Sequence, residues 1–119
     1  MNKHELLKRT KTYALRIIKT VQALPRDDVS TTIGRQLLRA GTSVGANYRA
    51  ACRAKSPADF LNKLKIVEEE CDESIYWMEL LIEAGAFSLR RLAALLREGD
   101  ELTAIFVAAI KTTRAARQS

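Results

Sequence analysis

In 119 residues the chain holds one histidine, two prolines, two cysteines and five glycines. Each scarcity excludes something. So few prolines and glycines leave little material for turns, which argues against many short strands and for a few long helices. Cys52 and Cys71 have neither metal-ligand nor redox-pair spacing. Each lies beside or on an apolar stripe, so both are expected to be buried free thiols. His4 is the lone imidazole. A di-iron helical site, which takes Glu-x-x-His from two helices, is therefore excluded. Ser43 and Ser74 have no histidine to activate them, and a thiol on a buried stripe such as Cys71 is inert. No apolar run approaches the roughly 20 residues of a membrane span, and Leu6-Leu7 is too short for a signal peptide. These exclusions predict a cytoplasmic, non-membrane protein with no catalytic residue, metal or cofactor.

What is present suits one helical domain. Hydrophobic residues make up 47% and charged residues 29% of the chain, enough to bury a core behind a charged surface. The net charge of +6 is unevenly spread. Residues 1–25 carry +5, 26–56 carry +4, 57–86 carry −6 and 87–119 carry +3. One acidic segment thus lies among basic ones, within reach of pairing in the chain or between chains. The surplus positive surface suits a polyanion.

Helical periodicity organises the whole chain. Leu6, Thr10, Tyr13, Ile17, Val21 and Leu24 form a stripe on a first helix of about 3–24. Lys8, Arg9, Lys11, Arg16 and Lys19 take its polar side, and Pro25 closes it. Asp28 or Ser30 is the expected N-cap of a second helix, about 29–54. Ile33, Leu37, Ala40, Val44, Tyr48 and Ala51 are its apolar face. Ser56 and Pro57 start a third helix of about 57–84, and Gly85 fits its C-terminal end. Ser88 opens a last helix of about 89–116, its stripe running Leu89, Leu92, Leu96, Gly99, Phe106. Gly99-Asp100 is a point where it would break if it broke anywhere, and the tail from Arg114 is expected to fray. Four amphipathic helices on short loops give an all-α, antiparallel up-down-up-down four-helix bundle.

Two features of the second helix stand out. Gly41 and Gly45 lie four apart at the edge of the apolar face, where the missing Cβ lets another helix backbone approach; a local kink is the alternative. Gly41-x-x-x-Gly45 is not a phosphate loop, since no Gly-Lys-Ser/Thr follows and no strand precedes. Arg35, Arg39, Arg49 and Arg53 fall within a sector of roughly 80° and span about 27 Å. Forked guanidinium donors suit phosphate, so these four, with Arg16 and Lys19, are the candidate nucleic-acid contacts. The competing possibilities are a solvated face or pairing with the acidic third helix of a neighbour. Tyr76 and Trp77, beside that acidic face, either flank the core or form a subunit contact.

The run Gln36-Leu-Leu-Arg-Ala-Gly-Thr-Ser-Val-Gly-Ala-Asn-Tyr-Arg-Ala-Ala carries a resemblance, with Arg53-Ala-Lys-Ser, Asp59-Phe60, Lys63-Leu64 and Tyr76-Trp77-Met-Glu-Leu-Leu. The chain resembles, from about residue 10 to 110, the four-helix-bundle proteins encoded in intervening sequences of bacterial 23S rRNA genes. That resemblance implies the up-down-up-down bundle and a ring-shaped homopentamer. It also implies kinship with the accessory protein of diversity-generating retroelements, which binds nucleic acid and a reverse transcriptase. The expected partners are therefore further copies of the chain, RNA or DNA, and a protein partner such as a reverse transcriptase. The family supplies no catalytic residues to carry over. A protein-interaction scaffold is the alternative function.

Overall fold

A computed structural model of the protein describes residues 1–118. These residues form four helices: α1 (Lys3–Gln22), α2 (Asp28–Ala51), α3 (Pro57–Glu83) and α4 (Leu89–Gln118). No strand occurs among them. Five residues make each connection. Five residues reach at most about 18 Å, too short to run back along a helix of about 30 Å or more. Each helix must therefore run back along the one before it, in a bundle of 51 × 22 × 21 Å.

Local chemistry sets the helix ends. Asn2 caps α1, its side chain accepting the Glu5 N–H at 2.8 Å. The cap of α2 is Asp27 and not Asp28 or Ser30. Its carboxylate accepts the Ser30 N–H at 2.8 Å and the Ser30 hydroxyl at 3.1 Å. Asp28 then falls in the first turn, where its charge suits the helix dipole. Ser56 accepts the Asp59 N–H at 3.1 Å, with Pro57 at the first helical position. Gly85 follows α3 with φ +84°. There the Ala86 N–H bonds back to the Leu81 carbonyl at 2.9 Å and the Gly85 N–H to the Ile82 carbonyl at 3.0 Å. This paired return needs a left-handed residue, which glycine adopts without strain. Ser88 accepts the Arg91 N–H at 3.2 Å and opens α4.

The apolar stripes meet as spaced. Tyr13, Ile17, Leu37, Val44, Leu64, Val67, Met78, Leu81, Leu102 and Phe106 are fully buried. Cys71 is buried and Cys52 half-buried, and both are free. Leu89 departs from the expected stripe and is 60% exposed. It sits at the very start of α4, and Phe87, just before the helix, is buried in its place. α1 and α2 stop two or three residues before the expected ends because their last N–H groups turn to i−3 carbonyls, as Leu24 does to Val21 and Ala54 to Ala51. α4 instead stays helical from Arg114 through Gln118, where fraying was expected; Ser119 lies outside the described residues.

Buried polar groups are accounted for. Thr10 donates its hydroxyl proton to the Leu6 carbonyl at 2.9 Å. Ser74 donates to the Cys71 carbonyl at 2.6 Å. Its one proton is then used, so Tyr13 must donate to Ser74 Oγ across 2.7 Å, tying α1 to α3. Burial pushes the Tyr13 phenol pKa up, and this keeps it a donor.

Helix α2 runs unbroken through its glycines, and they face α1. A Cβ on Gly45 would stand 3.4 Å from the Thr10 carbonyl, and one on Gly41 would stand 2.7 Å from Ile17 Cγ1. Gly34 meets Leu24 in the same way. The descending register from Leu24 through Ile17 to Thr10 confirms that α1 and α2 are antiparallel. Gly99 likewise does not break α4. A Cβ there would stand 2.9 Å from both the Tyr13 hydroxyl and Ile75, so this glycine lets α4 close over the core. Gly41→Val should destabilise the fold by about 1–3 kcal/mol through overpacking. Urea denaturation would show it as a lower midpoint at unchanged m-value.

Candidate nucleic-acid interface

The chain's cations go to different places. Arg39 reaches across to α3, where Nη1 donates to Glu70 Oε2 at 2.9 Å and Nη2 donates to Glu73. Glu73 also accepts the Trp77 Nε1–H at 3.0 Å. That bond, with the Arg39 pair behind it, holds the Glu73 carboxyl below its usual range. Tyr76 stacks edge-on against Trp77 at 5.1 Å and is 52% exposed. The acidic third helix is therefore met, in part, within the same chain.

Arg9 is taken up on the other side. Its Nε and Nη2 form a fork on Glu98 at 2.7 and 2.6 Å, and Nη2 also reaches Glu101 at 2.7 Å. Two parallel charge-assisted bonds make this a bidentate pair, the strong form of the arginine–carboxylate contact. It joins α1 to α4, which approach each other less closely than the other three neighbouring pairs do. Hydrogen bonding to Arg9 lowers the Glu98 pKa, and Arg16 lies near enough to add to the effect. Arg16 thus faces α4, away from the α2 arginines. Lys19 and Arg35 are exposed further along the bundle.

Arg49 and Arg53 go elsewhere. They line a groove of about 820 Å³ between the first half of α1 and the second half of α2. Lys3, His4, Lys8 and Lys11 line it from α1. All six of these basic side chains are exposed, and no carboxylate is among the lining residues. Leu7, Ala14 and Gly45, partly buried, lie between the two rows. Among the described residues none of the five lysines and arginines has a carboxylate within ion-pair range. Such a site can do one thing well: hold a string of negative charges by unsatisfied cationic donors.

The arginine row of α2 thus divides. Arg39 and Arg49 stand about 80° apart around α2, one toward α3 and the other toward α1, and Arg53 follows the helix end. Of the six candidate contacts, the structure gathers only Arg49 and Arg53. Sequence reasoning missed Lys3, His4, Lys8 and Lys11 as their companions. The signal was the spacing of His4, Lys8 and Lys11, one face of α1 at helical period. Gly41 and Gly45 contribute as the contact that brings α1 onto α2.

A sequence profile of the 23S rRNA-intervening sequence protein matches residues 2–108. The chain belongs to that family. The bundle is also similar to the crystal structure of a protein of unknown function from the S23 ribosomal protein family of Bacteroides thetaiotaomicron. The two are 32% identical, with 93% of this chain and 99% of the other covered at a TM-score of 0.86. Comparison with curated proteins gives no match. No helix among the described residues is long and apolar enough to cross a membrane.

The Arg9–Glu98 fork carries a pH dependence. The folded Glu98 carboxyl binds its proton less readily than the unfolded one, so the pair stabilises the fold above the ordinary Glu pKa of about 4.3. That contribution is lost as pH falls through the folded, lower pKa. Arg9→Leu should cost about 1–2 kcal/mol at neutral pH. In denaturant titrations, the gap between the two proteins should narrow as pH falls below about 4.

Proposed function

We propose that this protein is a non-enzymatic nucleic-acid binder that grips the phosphate backbone of RNA or DNA in the α1–α2 groove. The observation that carries this reading is the convergence of Lys3, His4, Lys8, Lys11, Arg49 and Arg53 on a groove with no lining carboxylate. Arginine forks and flexible lysines both suit phosphate oxygens. The apolar base of the groove offers no base-edge readout, so affinity should come from charge and fall steeply with salt.

The same reading places the protein in the reducing cytoplasm, in keeping with two unpaired thiols. It also takes the assembly to be the ring-shaped homopentamer that the family resemblance implies. Exposed Leu15, Leu38, Ile66 and Tyr76 are the large apolar groups that contacts between copies could cover. An acidic protein surface, such as one on a reverse transcriptase, is the rival occupant of the groove.

The test is fluorescence anisotropy of a labelled mixed-sequence RNA across a salt series. Arg49→Glu with Arg53→Glu should weaken binding by about tenfold or more and lower the salt slope by about 2. Arg39→Glu, whose native side chain is already held by Glu70 and Glu73, should change affinity by no more than about twofold. The reverse ranking of the two variants would overturn the groove assignment. A wild-type protein that ignores RNA at low salt would leave the groove to a protein partner.

A further inference from the structure

The basic groove has a neighbour at the end of the bundle. A second recess of about 620 Å³ opens where the start of α1, the α2–α3 connection and the last turns of α4 meet. Lys3 and Cys52 line both cavities, so the groove leads into the recess. Their linings differ in kind. The recess has Tyr48, Ala51, Pro57 and Phe60 as its apolar surface, with Thr112 and Thr113 beside them. Its charged lining residues are only Lys3 and Lys55.

A polyanion lying in the groove reaches this border with its phosphates still near Lys3 and Lys55. The donors of the recess stand around an apolar wall of Ala51, Pro57 and Phe60, which favours a less polar occupant than phosphate against that wall. The recess suits a flat, largely apolar group with hydrogen-bonding edges, and its volume is in the range of small-ligand sites, about 300–1,000 Å³. On a nucleic-acid strand the group that fits this description, one sugar away from a phosphate, is the base. Bases in a duplex are stacked on both faces and paired at their edges. They cannot turn into a recess while their own phosphates stay in the adjoining groove.

We infer that the recess receives an unpaired nucleobase of the strand whose phosphates lie in the α1–α2 groove, so that the ligand class is single-stranded nucleic acid. The inference rests on the nucleic-acid reading of that groove. Phe60 is the ring a base would meet, being half-buried at the recess wall, whereas Tyr48 is only 6% exposed. Stacking on one aromatic ring is tolerant of sequence, so the recess discriminates strandedness more than base identity.

The experiment compares probes of about twelve nucleotides by anisotropy with the full chain at one low salt concentration. The probes are a mixed-sequence single strand, an abasic strand with the same number of phosphates, and a blunt duplex. Stacking of one base contributes about 1–3 kcal/mol, so the base-bearing strand should bind about tenfold tighter than the abasic one. It should also bind tighter than the duplex. Phe60→Leu, which keeps apolar bulk, should bring the ratio of base-bearing to abasic affinity close to one and leave abasic binding unchanged. Equal wild-type affinity for base-bearing and abasic strands overturns the recess while leaving the groove standing. A duplex that binds tighter than the single strand overturns it as well. A tenfold ratio that survives in folded Phe60→Leu overturns the assignment to this recess. Absence of binding by every probe overturns the groove reading itself.

Discussion

The contact on which the rest depends is the close seating of α1 on α2. It needs a surface without Cβ atoms, and Gly41 and Gly45 provide it against Ile17 and the Thr10 backbone. Glycine inside a helix costs about 1 kcal/mol relative to alanine, and α2 carries three of them, at 34, 41 and 45. The gain is a helix pair close enough to bury Tyr13, Ile17, Leu37 and Val44 completely. The same seating places the amino-terminal half of α1 beside the carboxy-terminal half of α2. Lys3, Lys8 and Lys11 thereby come to face Arg49 and Arg53 across one groove. Packing and charge are thus two results of one contact.

The fold then sorts its charges by what each helix meets. Arg39 leans to α3 and finds Glu70 and Glu73; Arg9 leans to α4 and finds Glu98 and Glu101. The Arg39 cluster is half exposed, and pairs of that kind contribute little to stability. Its larger effect is on the surface, where it removes a cation from the outward field and neutralises part of the acidic helix. No carboxylate lines the α1–α2 groove to do the same. Lys3, Lys8, Lys11, Arg49 and Arg53 are therefore concentrated where two basic helices meet, with an apolar recess beside them at the bundle end.

The helices were legible because their signals are local. Stripes at helical period, Ser56-Pro57 and Gly85 act within a few residues of themselves. The α2 cap was expected at Asp28 or Ser30, one or three residues late, because Asp27, Asp28 and Ser30 are all favoured capping residues and only backbone geometry chooses Asp27. The site was half legible. Arg49 and Arg53 stood out as arginines in register on one helix. Their partnership with Lys3, Lys8 and Lys11 depends on how α1 and α2 are seated, which no single helix encodes. The loss of Arg39 to α3 and of Arg16 toward α4 likewise depends on the register between helices. Family membership sharpened the fold and left the site to be read from these contacts.

The central claim is that one groove, and not the whole basic surface, meets the polyanion. Amide chemical-shift mapping of the labelled protein during titration with single-stranded RNA tests it most directly. The account predicts that perturbed amides cluster in residues 3–14 of α1, in 42–51 of α2 and in Cys52 and Arg53 just after it, with those around Arg35 and Arg39 unmoved. Shifts centred on Arg35 and Arg39, or spread evenly over every basic residue, would contradict it.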